Sequence, residues 1–145
     1  GMAGARVGYA LGAQDLIGQF EKIRNHFGMN RAAQSAAEAA LNDQAWLLSV
    51  RDKVEASKQE IARIADENGL STVESATNFM AIDCGRDGAF AQAVLTHLVQ
   101  AGLFVRMPFV APQNRCIRVS AGRSEDMDLL RRALPKALAA AASAG

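Results

Sequence analysis

Apolar positions recur with helical spacing over most of this chain and switch to alternation in only a few short stretches. Between Asn42 and Asn68, Trp46, Val50, Val54, Ile61 and Ile64 mostly follow the 3.6-residue period, while Arg51, Lys53, Lys58, Glu60 and Arg63 take the other side. The spacing predicts one long helix, opened by the side chain of Asn42 or Asp43 and stopped by Gly69 in the left-handed conformation. Upstream, Asn30 to Leu41 is rich in alanine and nearly free of bulky side chains, which predicts a helix packed close to a neighbour. Downstream, Thr77 to Asp83 alternates with little charge on either side, as a buried strand does. Asp87 then caps a helix that runs to Gln100 with Phe90, Val94 and Leu98 on one face and Gly102 as its stop.

The remaining segments are shorter. Gly4, Gly8, Gly12, Gly18 and Gly28 punctuate the first thirty residues, and Val7, Tyr9 and Leu11 alternate with small residues, which predicts a strand feeding a loop. Leu103 to Arg106 reads as a short strand, Met107 to Asn114 as a proline-bearing loop, and Cys116 to Ser120 as another strand. Ser124, Glu125 and Asp126 open a last helix carrying Leu129, Leu130, Leu134 and Leu138, which Pro135 should kink or fray. From residue 70 onward the predicted order is strand, helix, strand, strand, helix. That is an α/β class (an α+β small domain): a small mixed or antiparallel sheet with helices on one face, preceded by a Gly-rich strand and a long connecting helix.

Composition narrows the function classes. The 145 residues carry 16 Lys+Arg against 15 Asp+Glu, a net charge of +1, so no overall field draws nucleic acid or an anionic membrane. Half the residues are hydrophobic, enough for a core without metals or disulfides. Cys84 and Cys116 fit neither a zinc pattern nor a disulfide framework, and predict reduced thiols in a cytoplasmic protein. No apolar run approaches a membrane span, and the opening residues lack the order of a signal peptide. His26 and His97 stand far apart without ligand spacing, and no P-loop, nucleophile elbow or GxGxxG occurs, so no metal site is expected. What remains is arginine on strands: Arg106 follows Leu103, Phe104 and Val105, and Arg118 sits between Ile117 and Val119. A guanidinium among buried-type residues needs an anion, whether a local acid or a ligand carboxylate or phosphate.

Five motifs in order carry a family resemblance over essentially the whole chain. Ala3, Gly4, Arg6, Gly8 and Tyr9 resemble the A-G-x-R-x-G-[YF] signature of class I/II aminotransferases, the fold-type I pyridoxal-phosphate enzymes. His26 to Asn30 falls where histidinol-phosphate aminotransferases carry a P-F-N-V-N-like segment, and Ser75 to Phe79 resembles their S-x-A-N-[FY] strand. Ala101 to Arg106 resembles G-I-x-V-R, and Cys116 to Gly122 resembles L-R-[VI]-[ST]-x-G.

The resemblance implies that Arg6 binds the cofactor phosphate, that Arg118 grips the substrate α-carboxylate, that Arg106 adds a second anion contact and that Asn78 lies near the substrate. It divides the chain into residues 1–42, a remnant of the cofactor-binding domain and connecting helix; 43–140, the small domain; and a disordered tail at 141–145. The family's Schiff-base lysine precedes the arginine that Arg6 matches, and so falls upstream of Gly1. Lys22, Lys53, Lys58 and Lys136 occupy surface-type helix positions outside that motif. The expectation is a C-terminal segment of an aminotransferase: incompetent and free of pyridoxal phosphate by itself, cytoplasmic, homodimeric, acting in its parent on an amino acid and a 2-oxo acid. The alternative is a non-enzymatic small domain that dimerises or complements a separate chain. The His26-Phe27-Gly28 variant departs from the family's proline and asparagine.

Overall fold

A computed structural model describes residues 2–143. The chain divides into two compact units, Gly1–Ser49 and Val50–Gly145, a boundary somewhat beyond the 42/43 position that the resemblance implies.

The first unit opens with a single 3-10 turn, Ala3–Ala5, which closes on Arg6 in the left-handed conformation at φ 53. Helix α1 (Gln14–Ile23) and helix α2 (Arg31–Asn42) follow. Asn30 caps α2 by accepting the Ala33 N–H at 2.7 Å, satisfying a donor that has no intrahelical partner. The Gly-rich strand expected at residues 7–12 is absent, because nothing among the described residues of this unit offers a second strand to pair with it. Helix α1 was not anticipated. Leu16, Ile17, Phe20 and Ile23 do hold helical spacing, but Gly18 interrupts them, and glycine within such a pattern weakens it.

Helix α3 (Gln44–Glu67) is the long helix expected. Asp43 is its cap, accepting the Trp46 N–H at 3.0 Å. At its end Gly69 has φ +70, the conformation that lets the Gly69 and Leu70 N–H groups return to Asp66 and Ala65.

In the second unit, strands β1 (Ser71–Val73), β2 (Phe79–Asp83) and β3 (Cys116–Ser120) form one antiparallel sheet in the order β1-β2-β3. Helix α4 (Gly88–Gln100), capped by Asp87, lies between β2 and β3 in sequence, and helix α5 (Ser124–Ser143) closes the chain. Register pairs Met80 with Val119 and Ile82 with Ile117, so these four share the face that is buried. Against that face pack Ile61 and Ile64 of α3, Val94 and Leu98 of α4, and Leu130 and Leu134 of α5. Burying each of these side chains contributes about 1.5–3 kcal/mol. Arg131 clamps α5 to α3 through Glu60 and Glu67.

Three expectations are corrected. The observed order after residue 70 is strand, strand, helix, strand, helix, because β1 is a three-residue pairing too short to show alternation. Leu103 to Arg106 is not a strand; only Arg106 pairs, in a single bridge to Arg118. Helix α5 continues through Pro135 to Ser143, held past the missing N–H by Ala137 and Ala141, both buried. The tail expected from residue 141 is therefore helical to Ser143; residues 144 and 145 lie outside the described residues.

Candidate anion site on the third strand

Arg118 stands at the centre of β3, where the register and the single bridge together fix its surroundings. Its N–H donates to the Arg106 carbonyl at 2.6 Å and its own carbonyl accepts the Arg106 N–H at 3.2 Å. Both polar backbone groups thus point away from β2, which makes Arg118 and Ala81 a pair without mutual hydrogen bonds, the kind whose side chains approach most closely. Phe79 pairs with Ser120, one step diagonal to Arg118 on the same face. Its ring lies under the guanidinium, with the central carbon 4.7 Å from the ring centroid.

The Arg118 Nε is sealed from solvent and has no hydrogen-bond partner. Other arginines of this unit contrast with it: Arg115 donates to Asp83 at 2.8 Å, Arg63 pairs with Glu60, and Arg131 holds two glutamates. Neither Arg106 nor Arg118 has a carboxylate in salt-bridge reach among the described residues. A sealed donor with no acceptor among the described residues costs free energy, which sets Arg118 apart from the arginines that are paired with local acids. Both arginines line a cleft of about 620 Å³ with Gln92, Leu95, Phe104 and Phe109. Phe104 and Phe109 are 80% and 92% exposed, so the cleft carries two cations on an apolar rim.

Asn78 is exposed and lies outside this cleft. Its carbonyl accepts the Ala121 N–H at 2.9 Å, while its side chain borders a second, shallower cleft with Arg51 and Lys58. Arg6 belongs to the first unit, exposed, with one guanidinium nitrogen donating to the Ala3 carbonyl at 3.1 Å and no acid partner among the described residues. Phe79 is the residue that sequence reasoning missed; only its strand parity with Arg118 could have pointed to it.

The remaining titratable groups serve the fold. Burial pushes the Cys84 thiol up to about 11 and raises Cys116 as well, so both are inert core residues. Burial also acts to raise Asp83, but the Gly85 N–H and Arg115 outweigh it and hold the carboxyl below its ordinary value. Among the described residues no three His, Cys, Asp or Glu side chains gather into a metal site, and no helix is long and apolar enough to cross a membrane.

Comparison with known proteins completes the picture. The sequence model of the family described as Aminotransferase class I and II matches residues 1–134. Histidinol-phosphate aminotransferase of Bacillus pumilus is 37% identical over 125 residues, covering 86% of this chain and 33% of that protein. The Geobacillus thermodenitrificans enzyme of the same description is 34% identical over 128 residues, covering 88% and 34%. The crystal structure of histidinol-phosphate aminotransferase from Sinorhizobium meliloti, in complex with pyridoxal-5'-phosphate, superposes with a TM-score of 0.92 at 50% identity. It covers 96% of this chain and 38% of that one. The chain spans about a third of the length of the curated relatives it matches.

Proposed function

Since this chain belongs to the class I and II aminotransferase family, we propose that it is the C-terminal segment of a pyridoxal-phosphate-dependent aminotransferase resembling histidinol-phosphate aminotransferase. Its parent would move an amino group between an amino acid and a 2-oxo acid. The observation that carries this reading is Arg118, a strand arginine with a sealed, partnerless Nε in the strand that matches the family's L-R-[VI]-[ST]-x-G motif.

Arg118 grips the substrate α-carboxylate, whose two oxygens match the guanidinium fork. Arg106, bridged to it through backbone, supplies a second cation for a carboxylate or a side-chain phosphate. Asn78, on the neighbouring cleft with Arg51 and Lys58, would reach the substrate only from outside the arginine cleft. Arg6, an exposed guanidinium without an acid partner, suits the phosphate of the cofactor. Pyridoxal phosphate, bound in the parent, supplies the carbonyl and the electron-accepting ring. On the family resemblance the lysine that holds it precedes the arginine that Arg6 matches, and Arg6 is the residue of these 145 that would meet the cofactor. The parent works in the cytoplasm as a homodimer.

The test is a graft in which this chain replaces the corresponding segment of the Sinorhizobium meliloti enzyme. The graft binds pyridoxal phosphate and transfers amino groups; Arg118→Ala keeps the cofactor absorbance and loses at least about a hundredfold in kcat/KM. Loss of the cofactor absorbance instead would overturn the carboxylate assignment. A graft that binds cofactor but is inert would favour the alternative, a small domain that serves outside catalysis.

A further inference from the structure

A guanidinium that must grip a carboxylate needs its plane held, and an arginine side chain has four torsions to freeze. Among the described residues no hydrogen bond performs this at Arg118, because its Nε has no partner and no acid pairs with its terminal nitrogens. The contact that remains is the Phe79 ring under the guanidinium face at 4.7 Å. The diagonal register of β2 against β3 dictates this contact, since Phe79 opposes Ser120 and Arg118 lies two residues before it on the same face.

We propose that Phe79 is a positioning residue: its ring fixes the plane of the Arg118 guanidinium and so sets the affinity for the carboxylate, without touching substrate. This rests on the reading of Arg118 given above. Three features favour it over simple packing. The ring faces away from the buried side of the sheet, where Met80 and Ile82 fill the core, so the core does not require it. A guanidinium stacked on an aromatic face keeps its N–H edges free for a bidentate anion. The neighbouring Arg106 has a looser equivalent, with its guanidinium carbon 5.6 Å from the Phe104 ring, itself 80% exposed. Arg118 is therefore the better held of the two, as the anchor should be.

The experiment uses the full 145-residue chain labelled with nitrogen-15, its arginine Nε–Hε resonances and L-glutamate as the probe. In the unsubstituted chain the Arg118 Hε resonance is displaced upfield by the ring, exchanges slowly because Nε is sealed, and moves on adding glutamate. Phe79→Leu removes the displacement and weakens glutamate binding about three- to tenfold, with the amides of Ile82 and Ile117 unmoved. Phe79→Tyr restores both. Unchanged glutamate affinity in Phe79→Leu with those amides in place would overturn the proposal, as would failure of Phe79→Tyr to restore the affinity. Should Phe79→Leu disturb the amides, the tyrosine variant decides alone: a displaced resonance with weakened affinity overturns the proposal, and native affinity supports it. Absence of any glutamate response in the unsubstituted chain would sink the reading of Arg118 itself, and the two failures are thereby distinct.

Discussion

The two units use similar apolar content in opposite ways. In Val50–Gly145 the apolar pattern closes on itself: Ile61, Ile64, Ile82, Ile117, Leu130 and Leu134 are fully sealed. In Gly1–Ser49 only Ala33 is buried among the described residues, while Leu11, Ile23 and Phe27 are 90%, 81% and 97% exposed. Helix α1 has a clear apolar face on which Leu16, Phe20 and Ile23 are exposed. An amphipathic helix gains most of its stability from packing that face, so α1 is the element of the first unit with most to gain from a covering surface. On the proposed reading that surface is the rest of an aminotransferase.

This contrast can be broken by substitution. Leu130→Ala should cost about 2–5 kcal/mol in urea unfolding, whereas Phe27→Ser should change it by less than about 0.5 kcal/mol. Equal losses would mean that the first unit has a core of its own. A finer probe compares the two helix caps. Asp87, which accepts the Phe90 N–H at 2.9 Å, should cost about 1 kcal/mol of global stability when changed to Ala. Asn30→Ala should leave the global value alone and merely speed amide exchange within α2. The smallest effect concerns acid. Asp83 is held below its ordinary value of 3.8, so its contribution is fully present above that pH and is lost as pH falls through the lowered value. Asp83→Asn should flatten that part of the acid limb for the second unit and leave α1 and α2 indifferent.

Legibility did not follow the same division. Helices α3 and α4 were readable because periodicity, a capping side chain and a terminal glycine agreed at each, and α2 because of its run of alanines. Strands β2 and β3 were readable from alternation, whereas β1 and the Arg106 bridge were not, since their pairing is decided by register and not by local pattern. At Pro135 the helix does not fray but runs on to Ser143, with Ala137 and Ala141 buried beyond it. Around the site, the oddity of Arg106 and Arg118 among apolar residues was visible in sequence. That one Nε is sealed and that Phe79 lies under the guanidinium are products of a diagonal between strands, which no single stretch of sequence displays. The placement of Asn78 away from the arginine cleft is likewise a three-dimensional fact, as is the separation of Arg6 into the other unit.

The central proposal is that the exposed apolar residues of the first unit and the Arg118 site of the second belong to an aminotransferase longer than these 145 residues. The most direct measurement is the size of the native protein in its source cells, by immunoblot with antibody raised against these 145 residues. The account predicts a band well above 15.4 kDa. A band at that mass would contradict it and place the function of this chain outside amino-group transfer.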